Sequence, residues 1–206
     1  MTTGNLYVIA APSGTGKTTL VKALVDSTPQ VTVSISHTTR AKRPHEAHGI
    51  NYYFIDKTVF EQMIAQKAFL EYATIFDNYY GTSKQWVETT LAAGQDVVLE
   101  IDWQGHQQIK HLFPDAISVF ILPPSLQTLR ERLMTRNQDH PDIIKTRLAD
   151  AETAISHMNE FDYAVINDDF SQALKDLQII IAAGRLLWSC QRMKISKLIS
   201  GFRAEM

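Results

Sequence analysis

The sequence predicts an α/β fold, a parallel sheet with helices on both faces. Three observations carry that expectation. Short apolar runs recur along the chain and end in polar or proline-rich corners. Stretches with apolar residues at helical spacing lie between them. The first run passes through a loop of small residues directly into such a stretch. Strands alternating with helices in this way build parallel sheets whose strands are covered on both sides.

Leu6-Tyr7-Val8-Ile9-Ala10 is a nearly continuous apolar run that ends close to Pro12, as a strand buried on both faces does. Leu20, Val21, Leu24 and Val25 then share one helical face. Val31-Thr32-Val33-Ser34-Ile35 alternates like a strand. Residues 95–102, QDVVLEID, form a further apolar run with Glu100 and Asp102 at its end. Ile117-Ser118-Val119-Phe120-Ile121-Leu122 stops at Pro123-Pro124, and Tyr163-Ala164-Val165-Ile166 stops at Asn167-Asp168-Asp169. From Leu174 the chain reads helical, and it turns basic after Gly184.

Two segments interrupt the alternation. Residues 36–93 are rich in Arg, His, Tyr and Asn. Within them, Thr58-Val59-Phe60-Glu61 reads as a capping box opening a short helix with Phe60, Met63 and Ile64 on one face. Thr82-Ser83-Lys84-Gln85 is a second capping signal. Residues 129–148 are dense in arginine, with Arg130, Arg132, Arg136 and Arg147.

The bulk properties narrow the function classes. At 206 residues the chain is one domain of ordinary size. A composition 45% hydrophobic and 20% charged suits a packed core rather than disorder. A net charge of -2 supplies no basic field, so a nucleic-acid partner is not expected. The single cysteine, Cys190, excludes a disulfide framework and suits a reducing compartment. MTTGN lacks a basic secretion-signal start, and no apolar run approaches the roughly 20 residues of a membrane span. The expectation is a soluble, cytoplasmic chain. Apolar residues in the basic C-terminal stretch, among them Leu186, Leu187 and Ile195, would suit a homo-oligomer contact.

The loop Ala11-Pro12-Ser13-Gly14-Thr15-Gly16-Lys17-Thr18 matches the phosphate-binding pattern G-x-x-x-x-G-K-[ST] except at its first position. Gly14 and Gly16 let backbone amides curl around phosphate oxygens. Lys17 reaches the β- and γ-phosphates, and the Thr18 hydroxyl can hold Mg²⁺. A following helix turns its positive end toward the phosphates. A methyl group at Ala11 is harmless if its φ is negative. The bland alternative, a small-residue turn that binds nothing, is disfavoured by the strand before it and the helix and Lys-Thr pair after it. Glu100 and Asp102 lie at the carboxyl end of a strand, where α/β sheets bind ligands. They could organise Mg²⁺ through water or contact an acceptor. Ser36-His37-Thr38-Thr39-Arg40-Ala41-Lys42-Arg43 concentrates cations that are either a solvated face or phosphate forks. Tyr52, Tyr53, Tyr79 and Tyr80 can add donors there.

With these pieces in place, the sequence resembles the guanylate kinases. APSGTGKTT, SHTTRAKR, GINYYF, FLEY, NYYGT, LEIDWQG, PPS and NDD carry the resemblance, in the family's order, over most of the chain. The resemblance implies a P-loop NTPase-like core (residues 1–35, 94–125 and 152–206), a GMP-binding region (36–93) and a lid (126–151). It implies that Mg·ATP and GMP or dGMP give ADP and the diphosphate, as in purine nucleotide recycling. By matching motifs, Ala11 to Thr18 bind ATP, with Asn167 near its base. Arg40, Arg43, Tyr52 and Tyr80 hold the GMP phosphate. Ser36, Glu71, Thr82 and Asp102 read or frame the guanine. Arg136 and Arg147 close over the transferring phosphates, and Thr18 binds Mg²⁺ with Glu100 or Asp102 through water.

Residue chemistry agrees for Glu71. Guanine presents N1–H and a 2-amino group side by side, and one carboxylate can accept from both. Adenine would leave that carboxylate unpaired in a dry pocket, a loss that supports discrimination of roughly 10⁴-fold. Two departures from the family pattern stand out. His37 replaces a frequent serine, and the lid reads Arg136-Asn137-Gln138-Asp139-His140-Pro141-Asp142 where the family has RG followed by acids. Two rival readings use the same loop: a P-loop kinase acting on a ribose phosphate, and a non-catalytic guanylate-kinase-like binding module. The first has no use for Glu71 as a base reader, and the second has no use for Lys17.

Overall fold

The computed structural model describes residues 3–75, 77–135 and 141–204. The chain begins with β1 (Leu6–Ala10), α1 (Lys17–Ser27) and β2 (Val31–Val33). It continues through β3 (His37–Thr38), β4 (Tyr53–Phe54), α2 (Lys57–Ala65), β5 (Phe69–Ile75), β6 (Asn78–Ser83) and α3 (Lys84–Ala92). Then come β7 (Asp96–Glu100), α4 (Trp103–Leu112), β8 (Ile117–Leu122), α5 (Leu126–Thr135) and α6 (Pro141–Ser156). A short 3₁₀ turn, β9 (Tyr163–Ile166), α7 (Phe170–Gly184) and α8 (Trp188–Ala204) complete it.

The five expected apolar runs form one sheet in the order β2-β7-β1-β8-β9, and every neighbouring pair is parallel. β1 sits at its centre with all five residues buried. Its side chains divide by parity, as the pleat requires. Tyr7 and Ile9 join Leu20, Val21 and Leu24 of α1 and Leu177 and Ile181 of α7 on one face. Leu6 and Val8 join Val87 of α3 and Ile109 of α4 on the other. Around β1 each face is therefore covered by helices, and the carboxyl ends of the strands are left open for a site.

β2 stops at Val33, short of the predicted Ile35. Ser34 still donates its amide to Val98 O at 2.9 Å, and the chain then leaves for a second sheet. That sheet, in the order β4-β3-β6-β5, has mostly short, polar strands. β5 and β6 form an antiparallel hairpin with a register shift between Phe69 and Glu71. α2 supplies its core: Phe60 is fully buried, stacks on Phe69 at 4.5 Å and meets Tyr79 at 5.3 Å.

The predicted capping box at Thr58 is corrected. The N-cap is Asp56, whose extended φ, ψ of -70°, 153° leads straight into Lys57, so Thr58 is already inside the first turn. The second capping signal resolves into two roles. The Ser83 hydroxyl accepts from Trp86 N at 3.4 Å and caps α3, while Thr82 turns inward. The C-terminal stretch divides into two helices that part after Gly184.

Because Phe60 is the only fully buried side chain of α2, its truncation should loosen the second sheet. Phe60→Ala is expected to cost about 3–5 kcal/mol in denaturant unfolding. A loss below about 1 kcal/mol would show that the second sheet does not depend on this contact.

Candidate active site

The loop between β1 and α1 is held from several sides. Gly14 and Gly16 take φ values of +91° and +94°, a left-handed region that side chains other than glycine rarely adopt. Ala11 is not among the residues with positive φ, and its methyl packs against the core cluster. Alanine therefore fits where the pattern expects glycine. Thr15 is fully buried, and its hydroxyl and amide both donate to Pro12 O, at 2.7 and 3.3 Å. α1 begins after Gly16 without a side-chain cap, so its first amides and positive end are left to serve an anion.

Asn167 lies under the loop. Its side-chain amide donates to Thr15 O at 2.7 Å, and a Cβ on Gly16 would come within 2.7 Å of that same nitrogen. Its amide nitrogen is thus engaged by the loop itself. Arg132 of α5, which sequence reasoning left unassigned, also reaches this point. Its guanidinium donates to Thr15 O at 3.4 Å and to Asn167 O at 3.2 Å. Together with Gly14, Gly16, Thr128 and Phe170 these residues line a cleft of about 590 Å³. A signal was available: Arg132 adjoins Leu133 and follows Leu129 by three, both fully buried, whereas Arg130 is exposed. Arg147 is half-buried on α6, and the predicted Arg136 lies outside the described residues.

Lys17 turns its ammonium under the loop and donates to Ile101 O at 3.2 Å. Desolvation pulls its pKa below the usual lysine value, and Glu100, Asp102 and Glu71 pull it back. The Thr18 hydroxyl donates to Glu100 Oε2 at 3.0 Å, so of the two acids Glu100 is the one beside Thr18. Asp102 has other work. It caps α4, accepting from Gly105 N at 2.9 Å and from Gln104 Nε2 at 3.2 Å. Trp103 stacks flat on His157, just past the end of α6, with ring centres 3.7 Å apart.

Glu71 is 3% exposed in β5. It pairs in register with Thr82 across the hairpin, and the Thr82 hydroxyl donates to its Oε1 at 2.6 Å. Burial, with the Asp102 charge added, raises its pKa to about 7 against the hydrogen bonds from Thr82 and the charge of Lys17. Perturbed acids of this kind cluster at functional sites.

The basic segment gathers around Glu46, which sequence reasoning also missed. Arg40 meets Glu46 Oε1 at 2.7 Å, and the amide of Arg43 donates to Oε2 at 2.9 Å. Arg40 also lies over the Tyr52 ring at 5.4 Å, and Tyr52 meets Tyr80 at 5.9 Å. Burial, with Tyr80 and Glu100 adding to it, pushes the Tyr52 hydroxyl up to about 12. The Arg43 side chain is exposed, and Ser36 takes part through its carbonyl, which accepts from Tyr53 N at 2.9 Å. The position of Glu46, three residues after Arg43, is the one sequence cue that could have singled it out.

Residues 3–184 match the family model described as guanylate kinase. The chain belongs to the guanylate kinase family. It is 54% identical over 200 residues to the guanylate kinase of Coxiella burnetii, covering 97% of each chain. It is 54% identical over 197 residues to the guanylate kinase of Saccharophagus degradans, covering 96% of each. The crystal structure of guanylate kinase from Anaplasma phagocytophilum superposes with a TM-score of 0.79 at 29% identity, covering 92% of this chain and 90% of that one. Among the described residues, no helix is long and apolar enough to cross a membrane.

The raised pKa of Glu71 has a thermodynamic consequence for this guanylate kinase fold. Between the ordinary value of 4.5 and about 7 the folded state holds a proton that the unfolded state has released. Stability contributed by this group therefore falls as pH rises through that window. Relative to the Glu71→Gln variant, the wild type should lose stability from about pH 4 to 7 and then level off. Urea unfolding across that range checks it, and a gain in the wild type's relative stability would contradict the assignment.

Proposed function

We infer that this chain transfers the γ-phosphoryl group of ATP to GMP, giving ADP and GDP. Membership of the guanylate kinase family supports the reaction class. The single observation that carries the acceptor is Glu71, a buried carboxyl held by Thr82 close to Lys17. A ribose phosphate has no base edge for that carboxyl to read. Guanine offers two adjacent donors.

In this reading the donor phosphates lie in the loop, on its amides and Lys17. Arg132 holds the loop's floor and faces the same cleft. Arg40, Arg43, Tyr52 and Tyr80 hold the acceptor phosphate, and Arg40 exchanges Glu46 for it. Ser36, Thr82 and Asp102 frame the base around Glu71. Residues 36–93 serve as the acceptor region, and residues 126–151 act as a lid that brings Arg136 and Arg147 over the transferring group. Thr18 and Glu100, a hydroxyl and a carboxylate beside the loop, suit a Mg²⁺ held mostly by phosphate and water. Bound there, Mg²⁺ would neutralise charge on the β- and γ-phosphates. Positioning and charge neutralisation suffice for such a transfer, and a largely ionised phosphate acceptor needs no general base. Lid closure excludes water that would otherwise waste ATP. The chain's work belongs to purine nucleotide recycling in the cytoplasm.

ADP formation from Mg·ATP is the test, with GMP, AMP, CMP, UMP and ribose phosphates as acceptors. Turnover with GMP that collapses in Glu71→Gln is the expected outcome. Turnover on a ribose phosphate but not GMP would overturn the acceptor. Lys17→Ala and Arg147→Ala should each lower kcat/KM by about 10²–10³-fold. Near-normal kcat/KM in either variant removes that residue from the mechanism.

A further inference from the structure

Gly105 is the third residue of α4, and nothing in its backbone conformation asks for glycine. Its φ is not positive, and it lies in the first turn of a regular helix whose N-cap is Asp102. Glycine inside a helix costs stability relative to alanine. The reason for it must therefore be space. A Cβ at this position would lie 2.7 Å from Glu71 Oε2, 3.2 Å from Glu71 Cδ and 3.1 Å from Ile101 Cδ1. Real Cβ atoms do not approach an oxygen so closely, so something would have to give way.

The helix cannot easily be the part that moves. Gly105 N is bonded to Asp102 at 2.9 Å, and Ile109 one turn further on is fully buried in the core. The carboxylate is also constrained. Thr82 holds Oε1 at 2.6 Å, and Glu71 is locked in the β5–β6 register. A methyl group at 105 would thus break the Glu71–Thr82 bond or twist the carboxylate about its last torsion. Either motion spoils the paired alignment that two adjacent donors on one base edge require.

We propose that Gly105 is a positioning residue for guanine selectivity: the side chain it lacks is the space in which the Glu71 carboxylate is held flat for the base. The proposal rests on the reading of Glu71 given above and adds a residue that acts only through it. The selectivity is then set jointly by two secondary-structure elements, a strand that carries the carboxylate and a helix start that leaves room for it.

The test compares GMP with IMP, which keeps N1–H but lacks the 2-amino group. Gly105→Ala should lower the ratio of kcat/KM for GMP over IMP by about ten-fold, mainly through the KM of GMP. The KM for ATP should stay unchanged. In a Glu71→Ala background the methyl meets no carboxylate, so adding Gly105→Ala should change neither acceptor's kinetics. A purely structural glycine would instead raise the KM for ATP as well, and would act in both backgrounds. An unchanged GMP/IMP ratio in Gly105→Ala, with the ratio lost in Glu71→Ala, overturns the role of Gly105 and leaves that of Glu71 standing. A ratio preserved in Glu71→Ala overturns both. Should Gly105→Ala fail to fold, the double variant Gly105→Ala/Glu71→Ala removes the clash and should fold. Failure of the double variant as well would mean that the helix itself needs the glycine, which also overturns the proposal.

Discussion

The site depends on one desolvated cation. The Lys17 ammonium is half-buried at the start of α1, and desolvation pulls its pKa below the usual lysine value. Glu100, Asp102 and Glu71 counter that pull, and each comes from a different place. Glu100 ends the strand next to β1, Asp102 opens α4, and Glu71 rises from the second sheet. The charge balance therefore links the loop between β1 and α1 to the second sheet. A shift of either sheet would weaken that compensation.

A second constraint acts on the loop's other flank. The Thr15 carbonyl accepts from both Asn167 and Arg132. Leu133 and Leu129 of α5 press against Gly14 so closely that a Cβ there would meet Leu133 Cδ2 at 2.9 Å. The helix leading into the predicted lid is thus in contact with the loop that would hold the donor phosphates. Just past the end of α6, His157 stacks on Trp103, the neighbour of Asp102.

Legibility followed the strength of local patterns. The runs of β1, β7 and β8 could be read because burial on both sides of a parallel strand leaves a continuous apolar signal, and β2 and β9, less buried, were read from their short apolar runs and the corners that end them. The second sheet left no such signal. β3 and β4 are two residues each, and β6 reads Asn-Tyr-Tyr-Gly-Thr-Ser, so neither length nor alternation marks them. Arg40 was legible as a cation, but its pairing with Glu46 depends on a turn that brings residues 40 to 46 back on themselves. Arg132 was hidden among its neighbours because a dense arginine segment shows composition before it shows helix phase.

By itself the sequence determined which residues the chemistry has available: the Gly-Lys-Thr loop, the acids at a strand end, Glu71 and its threonine, and the order of strands and helices that brings them within range. Those are local facts, set by residue type and spacing. Only the tertiary structure decided how these groups share the work. It gave Glu100 rather than Asp102 to Thr18, made Asp102 a helix cap, turned Asn167 to the loop, and left at Gly105 the space that Glu71 occupies. These choices rest on contacts between residues far apart in the chain, where distance and burial, not residue type, set the energy.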